Sequence, residues 1–265
     1  MNKIFFAIGI LCFLVPFGLQ AIDGEEQKHV IETYETELKL CGMEEIAACM
    51  ENAEKYNQKL YELQTAAVGT APEYADFDMD YKAQLSLSDT GVMGHVQIPK
   101  LDLKLPLYHG TDKEILANGV GHLEGSSLPI GGINSHSVLT GHRGLPSAEL
   151  FTRLDEMEQG DTFFLLVCNQ TMAYQVVRIR VVKPEDVSAI KIEADKDLVS
   201  LVTCTPYGIN THRLIVTGER IELEDEAIEA IKLEESPEKE TTYWLLIPIV
   251  ILVVIVIVIV RKRCR

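Results

Sequence analysis

The chain predicts a mainly β fold: a closed or nearly closed barrel with a helical N-terminal region before it and a transmembrane helix after it. Three observations predict this. Apolar residues recur at helical spacing from Glu25 to about Thr65. From Val92 the period shortens, and Val, Ile, Thr, Phe and Leu gather in short runs divided by Gly, Pro and Asn. Finally, Tyr243 to Val260 is an uncharged run of 18 residues closed by a basic tail. The first pattern buries one face of a helix, the second suits short strands, and the third suits a lipid core.

At the N-terminus, Lys3 precedes an apolar stretch from Ile4 to Leu19, broken by Pro16 and Gly18, with Ala21 placed for cleavage. Residues 1–21 are therefore expected as a secretory signal peptide or a short uncleaved anchor, and either exports the chain beyond it. Residues 22–90 are expected as the helical region. Ile46, Cys49, Met50 and Ala53, then Tyr56, Leu60 and Leu63, keep helical spacing, and Gly42 divides two helices. Gly69-Thr70-Ala71-Pro72 and the acidic stretch Asp76-Phe77-Asp78-Met79-Asp80 have no steady period, so 66–90 is expected as a loop with one helical turn.

The strands are expected near 92–98, 102–107, 119–123, 136–141, 162–168, 172–182, 198–204 and 213–219, with a brief helix from Ala148 to Leu154 as the main interruption. Many short strands with long, irregular connections favour barrel closure, and 91–221 is expected as the barrel domain. Residues 222–242, acidic and containing Pro237, are expected as a solvated spacer. As a helix rising about 1.5 Å per residue, residues 243–260 cover roughly 27 Å, near the thickness of a bilayer core. The tail 261–265, Arg-Lys-Arg-Cys-Arg, is expected to stay cytoplasmic, which puts the barrel outside the cell membrane.

Charge and cysteine usage exclude whole classes. Acidic residues outnumber basic ones by 40 to 24, but the excess sits in the flanks: residues 22–90 carry 16 against 5, residues 91–218 only 14 against 11. An acidic chain of this kind is no nucleic-acid binder. Its six cysteines form no disulfide framework: Cys12 and Cys264 belong to the terminal segments, and Cys41 and Cys49 stand about 12 Å apart along an ideal helix. A Cys41–Cys49 pair needs Gly42 to bend the helix, and Cys168, beside Asn169-Gln170, reads as a small strand residue.

Cys204 is the thiol with a chemical context. The apolar run Leu198–Val202 ends in Thr203-Cys204-Thr205-Pro206-Tyr207-Gly208, which puts the thiol at a strand end beside a loop. His142 stands 62 residues earlier, within Thr140-Gly141-His142-Arg143-Gly144, and Arg213 nine residues later, at the start of a run that returns beside the first. A cysteine with a distant histidine is the usual constellation for acyl transfer, because the thiolate attacks and the imidazole carries the proton. Other histidines compete. His95, His109 and His122 lie in apolar or glycine-rich strand contexts, His29 on a solvated helix, and His212 beside Arg213. His136 and His142 lack Cys or carboxylate partners at a metal-binding spacing, so no metal site is expected.

These residues resemble the signature of sortases, the membrane-bound cysteine transpeptidases of Gram-positive bacteria. The similarity runs over roughly 91–220 and includes Gly94-His95-Val96-Gln97-Ile98-Pro99-Lys100, Leu105-Pro106-Leu107-Tyr108-His109-Gly110-Thr111 and Gly119-Val120-Gly121-His122-Leu123-Glu124-Gly125. The wording of the motifs and an apolar segment at each end are most similar to class C, the pilin-polymerising group. The resemblance implies an eight-stranded barrel with Cys204 as nucleophile, His142 as acid and base, Arg213 as oxyanion stabiliser and Thr203 as an orienting neighbour. It implies no cofactor, an LPXTG-bearing pilin or surface protein as substrate, and an amine on pilin or peptidoglycan as acceptor. Class C sortases usually carry a lid with an Asp-Pro-aromatic motif. Residues 66–90 hold none, and Asp76-Phe77 is the candidate substitute. The rival readings are a housekeeping sortase with a peptidoglycan acceptor, a cysteine protease using water, and a surface receptor without chemistry.

Overall fold

A computed structural model describes residues 24–66 and 80–223. The signal or anchor segment, the Tyr243–Val260 run and its basic tail, the spacer beyond residue 223 and the candidate lid pair Asp76 and Phe77 lie outside the described residues. Among those described, no helix is long and apolar enough to cross a membrane.

Helices α1 (24–40) and α2 (Met43–Ala66) meet at a break at Cys41 and Gly42, where the sequence places it. Both pack on the barrel within one compact unit, Leu19–Glu222. From α1, the buried Tyr34 donates its hydroxyl hydrogen to Met93 O at 3.0 Å and accepts from Cys168 N at 3.2 Å. From α2, Ala53 and Tyr56 join the main core, and the Asn57 amide makes two bonds with the Leu128 backbone, at 3.1 and 2.7 Å. A buried amide satisfied on both sides fixes the helix axially as well as laterally.

Eight strands form the barrel: β1 (Val92–Ile98), β2 (Leu103–His109), β3 (Val120–His122), β4 (Ser135–Thr140), β5 (Thr162–Val167), β6 (Gln170–Val182), β7 (Asp197–Thr205) and β8 (His212–Ile221). It closes in the order β1-β2-β3-β4-β7-β8-β6-β5. All neighbours are antiparallel except β2 with β3 and β4 with β7. Parallel neighbours need a crossover. For β2 to β3 that crossover holds α3 (Lys113–Asn118), a helix too short to show a period in the sequence. For β4 to β7 the chain runs through the β5–β6 hairpin.

The helix expected from Ala148 to Leu154 does not form. The segment turns tightly, Leu150 takes a left-handed φ of 42°, and a 3-10 turn covers only Leu154–Glu156. Ala148, Leu150, Phe151, Leu154 and Met157 are all buried in the main core. A helix presents one face, whereas this segment buries nearly every apolar residue it has, so packing overrides periodicity. Cys168 also differs from its expected strand placement. With Asn169 it makes the two-residue turn between Val167 and Gln170, both at positive φ, 48° and 64°.

Strand β7 is buried on both faces. Val199 and Leu201 enter the main core, while Val202 joins Val138, Ile215 and Ala189 in a second cluster on the opposite face of the wall. Leu123, Val182 and Ile190 pack against that second cluster. This double burial is why the sequence there is an unbroken apolar run rather than an alternation.

Candidate active site

The topology brings three chain ends together. Because β4 and β7 are parallel, their C-terminal ends lie at one end of the barrel; because β8 is antiparallel to β7, its first residues return there. Cys204 and Arg213 are direct partners across β7 and β8. Thr140 pairs with Val202 and Gly141 N still bonds Val202 O, so His142 follows directly after the end of β4 that lies beside the C-terminal part of β7. Side-chain alternation then places Cys204 and Arg213 on the face that carries Val202 and Ile215. Cys204 and Arg213 are half-buried, open enough for a substrate to reach.

The histidine loop is held from several sides. Gly141 N donates to Val202 O at 3.0 Å, and Phe151 N donates to His142 O at 3.0 Å. A Cβ on Gly141 would stand 2.6 Å from the Phe151 ring, so this position requires glycine. Thr203 is buried with its Oγ1 donating to Gly141 O at 2.8 Å. It therefore ties β7 to the residue before His142, on the strand face opposite Cys204. Arg213 donates through Nη1 to His212 O at 3.1 Å and Asn210 O at 3.4 Å, contacts that steady the guanidinium at the loop mouth.

Arg143, which the sequence shows only as part of the histidine motif, has a larger place in the structure. Its side chain is 9% exposed and bridges the two flanks of the site. Nη1 donates to Thr205 Oγ1 at 3.2 Å, Nη2 to Asp155 Oδ2 at 2.5 Å, and the guanidinium carbon stands 5.9 Å from the Tyr207 ring centre. Tyr207 also packs on Gly144, where a Cβ would lie 2.9 Å from the ring and where φ is +80°. The signal for it was position alone: an arginine beside the motif histidine reads as a surface charge until the fold shows its side chain 9% exposed.

Four of the six competing histidines have side-chain hydrogen-bond partners, whereas both ring nitrogens of the buried His95 have none. His122 is fully buried between Tyr81 Oη and Ser127 O, each 2.8 Å away, and burial pushes its pKa down to about 4. His136 bridges Lys191 O and Ser200 Oγ, both at 2.8 Å. His109 meets Gln84 O at 2.6 Å, His95 is buried near Glu35, and His212 bonds Thr211 at 3.0 Å. His29 is exposed on α1. Cys204, His142 and Arg213 together can attack a carbonyl with the thiol, place a charge beside the oxygen that develops, and carry a proton.

Comparison with known proteins agrees with this geometry. The family model for the sortase domain matches residues 96–221. Sortase C1 of Streptococcus agalactiae is 43% identical, with a TM-score of 0.66, over 74% of this chain and all of that structure. A Clostridium perfringens sortase C, solved with the C-terminal cell wall sorting motif, is 42% identical, with a TM-score of 0.61, over 73% of this chain and 98% of that structure. Among curated proteins, sortase D of Bacillus subtilis is 35% identical over 131 residues, 48% of this chain and 63% of that protein. The chain thus spans less than two thirds of the first curated relatives it matches, at 63%, 56% and 63%.

Proposed function

Because the chain belongs to the sortase family of cysteine transpeptidases, we propose that it cleaves an LPXTG-like sorting signal between Thr and Gly and transfers the new acyl end to the amine of a pilin lysine. The observation that supports the reading is the pairing of Cys204 with Arg213 across β7 and β8, beside the C-terminal end of β4 from which the His142 loop departs. Similarity to class C structures supports the pilin acceptor over peptidoglycan.

The Cys204 thiolate attacks the threonyl carbonyl, forming an S–C bond while the carbonyl electrons move to oxygen. Arg213 offers planar donors to that oxyanion, a role its fork suits better than an ammonium. As the oxyanion collapses, the C–N bond breaks and imidazolium His142 gives its proton to the departing glycine amine. The acceptor amine then attacks the thioester, its proton passes to His142, and the thiolate leaves.

In this reading the acidic segment and the Tyr243–Val260 helix hold the barrel outside the cell membrane, and Asp76 with Phe77 forms a lid. Phe77 fills the groove and Asp76 pairs with Arg213 until substrate displaces them. Replacing both by alanine is expected to speed alkylation of Cys204; equal rates would remove the lid from the reading. The central test mixes the enzyme with a sorting-signal peptide and either a pilin lysine peptide or a peptidoglycan amine. A Cys204 thioester resolved by the pilin lysine is the expected result. Hydrolysis alone, or transfer only to peptidoglycan amine, overturns the pilin assignment.

A further inference from the structure

Three thiols gather where the helices meet the barrel, away from the catalytic row. Cys41, at the end of α1, stands 3.8 Å from Leu87 O. Cys49, on α2, is half-buried and packs against the main core, to which the buried Cys168 belongs. Cys49 thus packs on the cluster that contains Cys168, and each thiol perturbs the other's titration, although 119 residues separate them in the chain. Among the described residues no group of His, Cys, Asp or Glu could hold a metal ion. The chemistry open to this cluster is thiol chemistry.

The position of Cys168 is unusual for that residue. The turn Cys168-Asn169 has positive φ at both positions, where glycine, asparagine and aspartate dominate. Its backbone cannot swing outward freely, because Cys168 N donates to Tyr34 Oη, which is itself bonded to Met93 O. On the other side α2 is locked to the barrel through Asn57 and Leu128. Both thiols are thus carried by backbones fixed to the same barrel.

We propose that Cys49 and Cys168 form a disulfide that staples α2 to the β5–β6 turn, made by exchange with an external disulfide such as oxidised glutathione or an oxidised thiol–disulfide oxidoreductase. The Cys49 thiolate attacks one sulfur of RS–SR, forming a mixed disulfide and expelling RS⁻. Cys168 then loses its proton to solvent and attacks the Cys49 sulfur, expelling the second RS⁻. Two protein thiols are oxidised to one disulfide, and RS–SR is reduced to two thiols. The contact with Cys168 holds the Cys49 thiol below its ordinary range, while Cys49 and burial push Cys168 up, so the more accessible Cys49 attacks first. This inference goes beyond the transpeptidase reading and does not depend on it.

The test uses the full chain carrying Cys204→Ala, equilibrated with oxidised glutathione or with dithiothreitol, alkylated, digested without reduction and mapped by mass spectrometry. The expected product is a peptide pair joined through Cys49 and Cys168, two hydrogens lighter than its reduced parts. A staple closing so long a loop is expected to raise the unfolding midpoint by about 5 °C or more, reversibly with dithiothreitol. Cys41→Ser should keep the link, and Cys49→Ser should lose the oxidation-dependent shift while melting like the reduced parent. Full alkylation of both residues after oxidation, or a link through Cys41 instead, would overturn the proposal.

Discussion

At the scale of single residues, the proposed mechanism divides the site into groups assigned to act on substrate and groups that hold those groups in place. Cys204 is half-buried at a strand end, so alanine fits there at little cost. Cys204→Ala is expected to unfold like the parent and to form no acyl-enzyme with a sorting peptide, as read by intact mass; normal cleavage would remove the thiol from the mechanism. Arg213→Lys keeps the charge and loses the fork. Turnover is expected to fall roughly 10²-fold, the scale for removing an oxyanion donor, with little change in melting temperature. Arg143→Lys tests a positioning role: one ammonium cannot hold Thr205, Asp155 and the Tyr207 ring together. Turnover about tenfold lower, with unchanged rates of reagent access to Cys204, is expected from peptide kinetics and alkylation run side by side.

At the scale of elements, the loop from β4 to the buried 3-10 turn decides where His142 stands. Its helical pattern was misleading because apolar spacing reports which residues are buried, not what buries them, and here the core takes nearly all of them. Gly141→Ala would push the Phe151 ring from a 2.6 Å approach. Overpacking of this kind costs about 1–3 kcal/mol, and Phe151 is the residue whose amide bonds His142 O. Urea unfolding is expected to show that loss, together with a fall in turnover larger than stability alone explains. A variant as active and as stable as the parent would mean the loop tolerates a shift that the packing forbids.

At the scale of the whole molecule, the barrel buries histidines as neutral groups. Burial lowers the pKa of His95, His122 and His136, that of His122 from 6.5 to about 4. A folded-state value below the unfolded one means the unfolded chain takes up protons first. The stability these groups allow is therefore complete above about pH 6.5 and is lost as pH falls toward the folded values, by up to about 1.4 kcal/mol per pH unit for each histidine. Asp197, raised by burial, pulls the other way only nearer the carboxylate range. Urea unfolding between pH 7 and pH 5 is expected to show falling stability, and a flat profile would mean that these histidines titrate normally in the fold.

Much of the molecule was legible in the chain itself. The eight strands, the helix break at Gly42 and the residues Cys204 and Arg213 on adjoining strands follow from short-range patterning, since burial on a sheet or helix face writes a period into the sequence. Motif wording, not periodicity, is what points to His142 among seven histidines. Only the tertiary structure decided the rest. The parallel pairing of β4 with β7, which brings the end of β4 beside Val202, is a contact between segments 62 residues apart and leaves no local trace. The same holds for the burial of Arg143, the bond from Thr203 to Gly141 and the meeting of Cys49 with Cys168. Local sequence sets which residues leave water; chain topology sets which of them meet, because closing a barrel joins strand ends that the sequence keeps far apart.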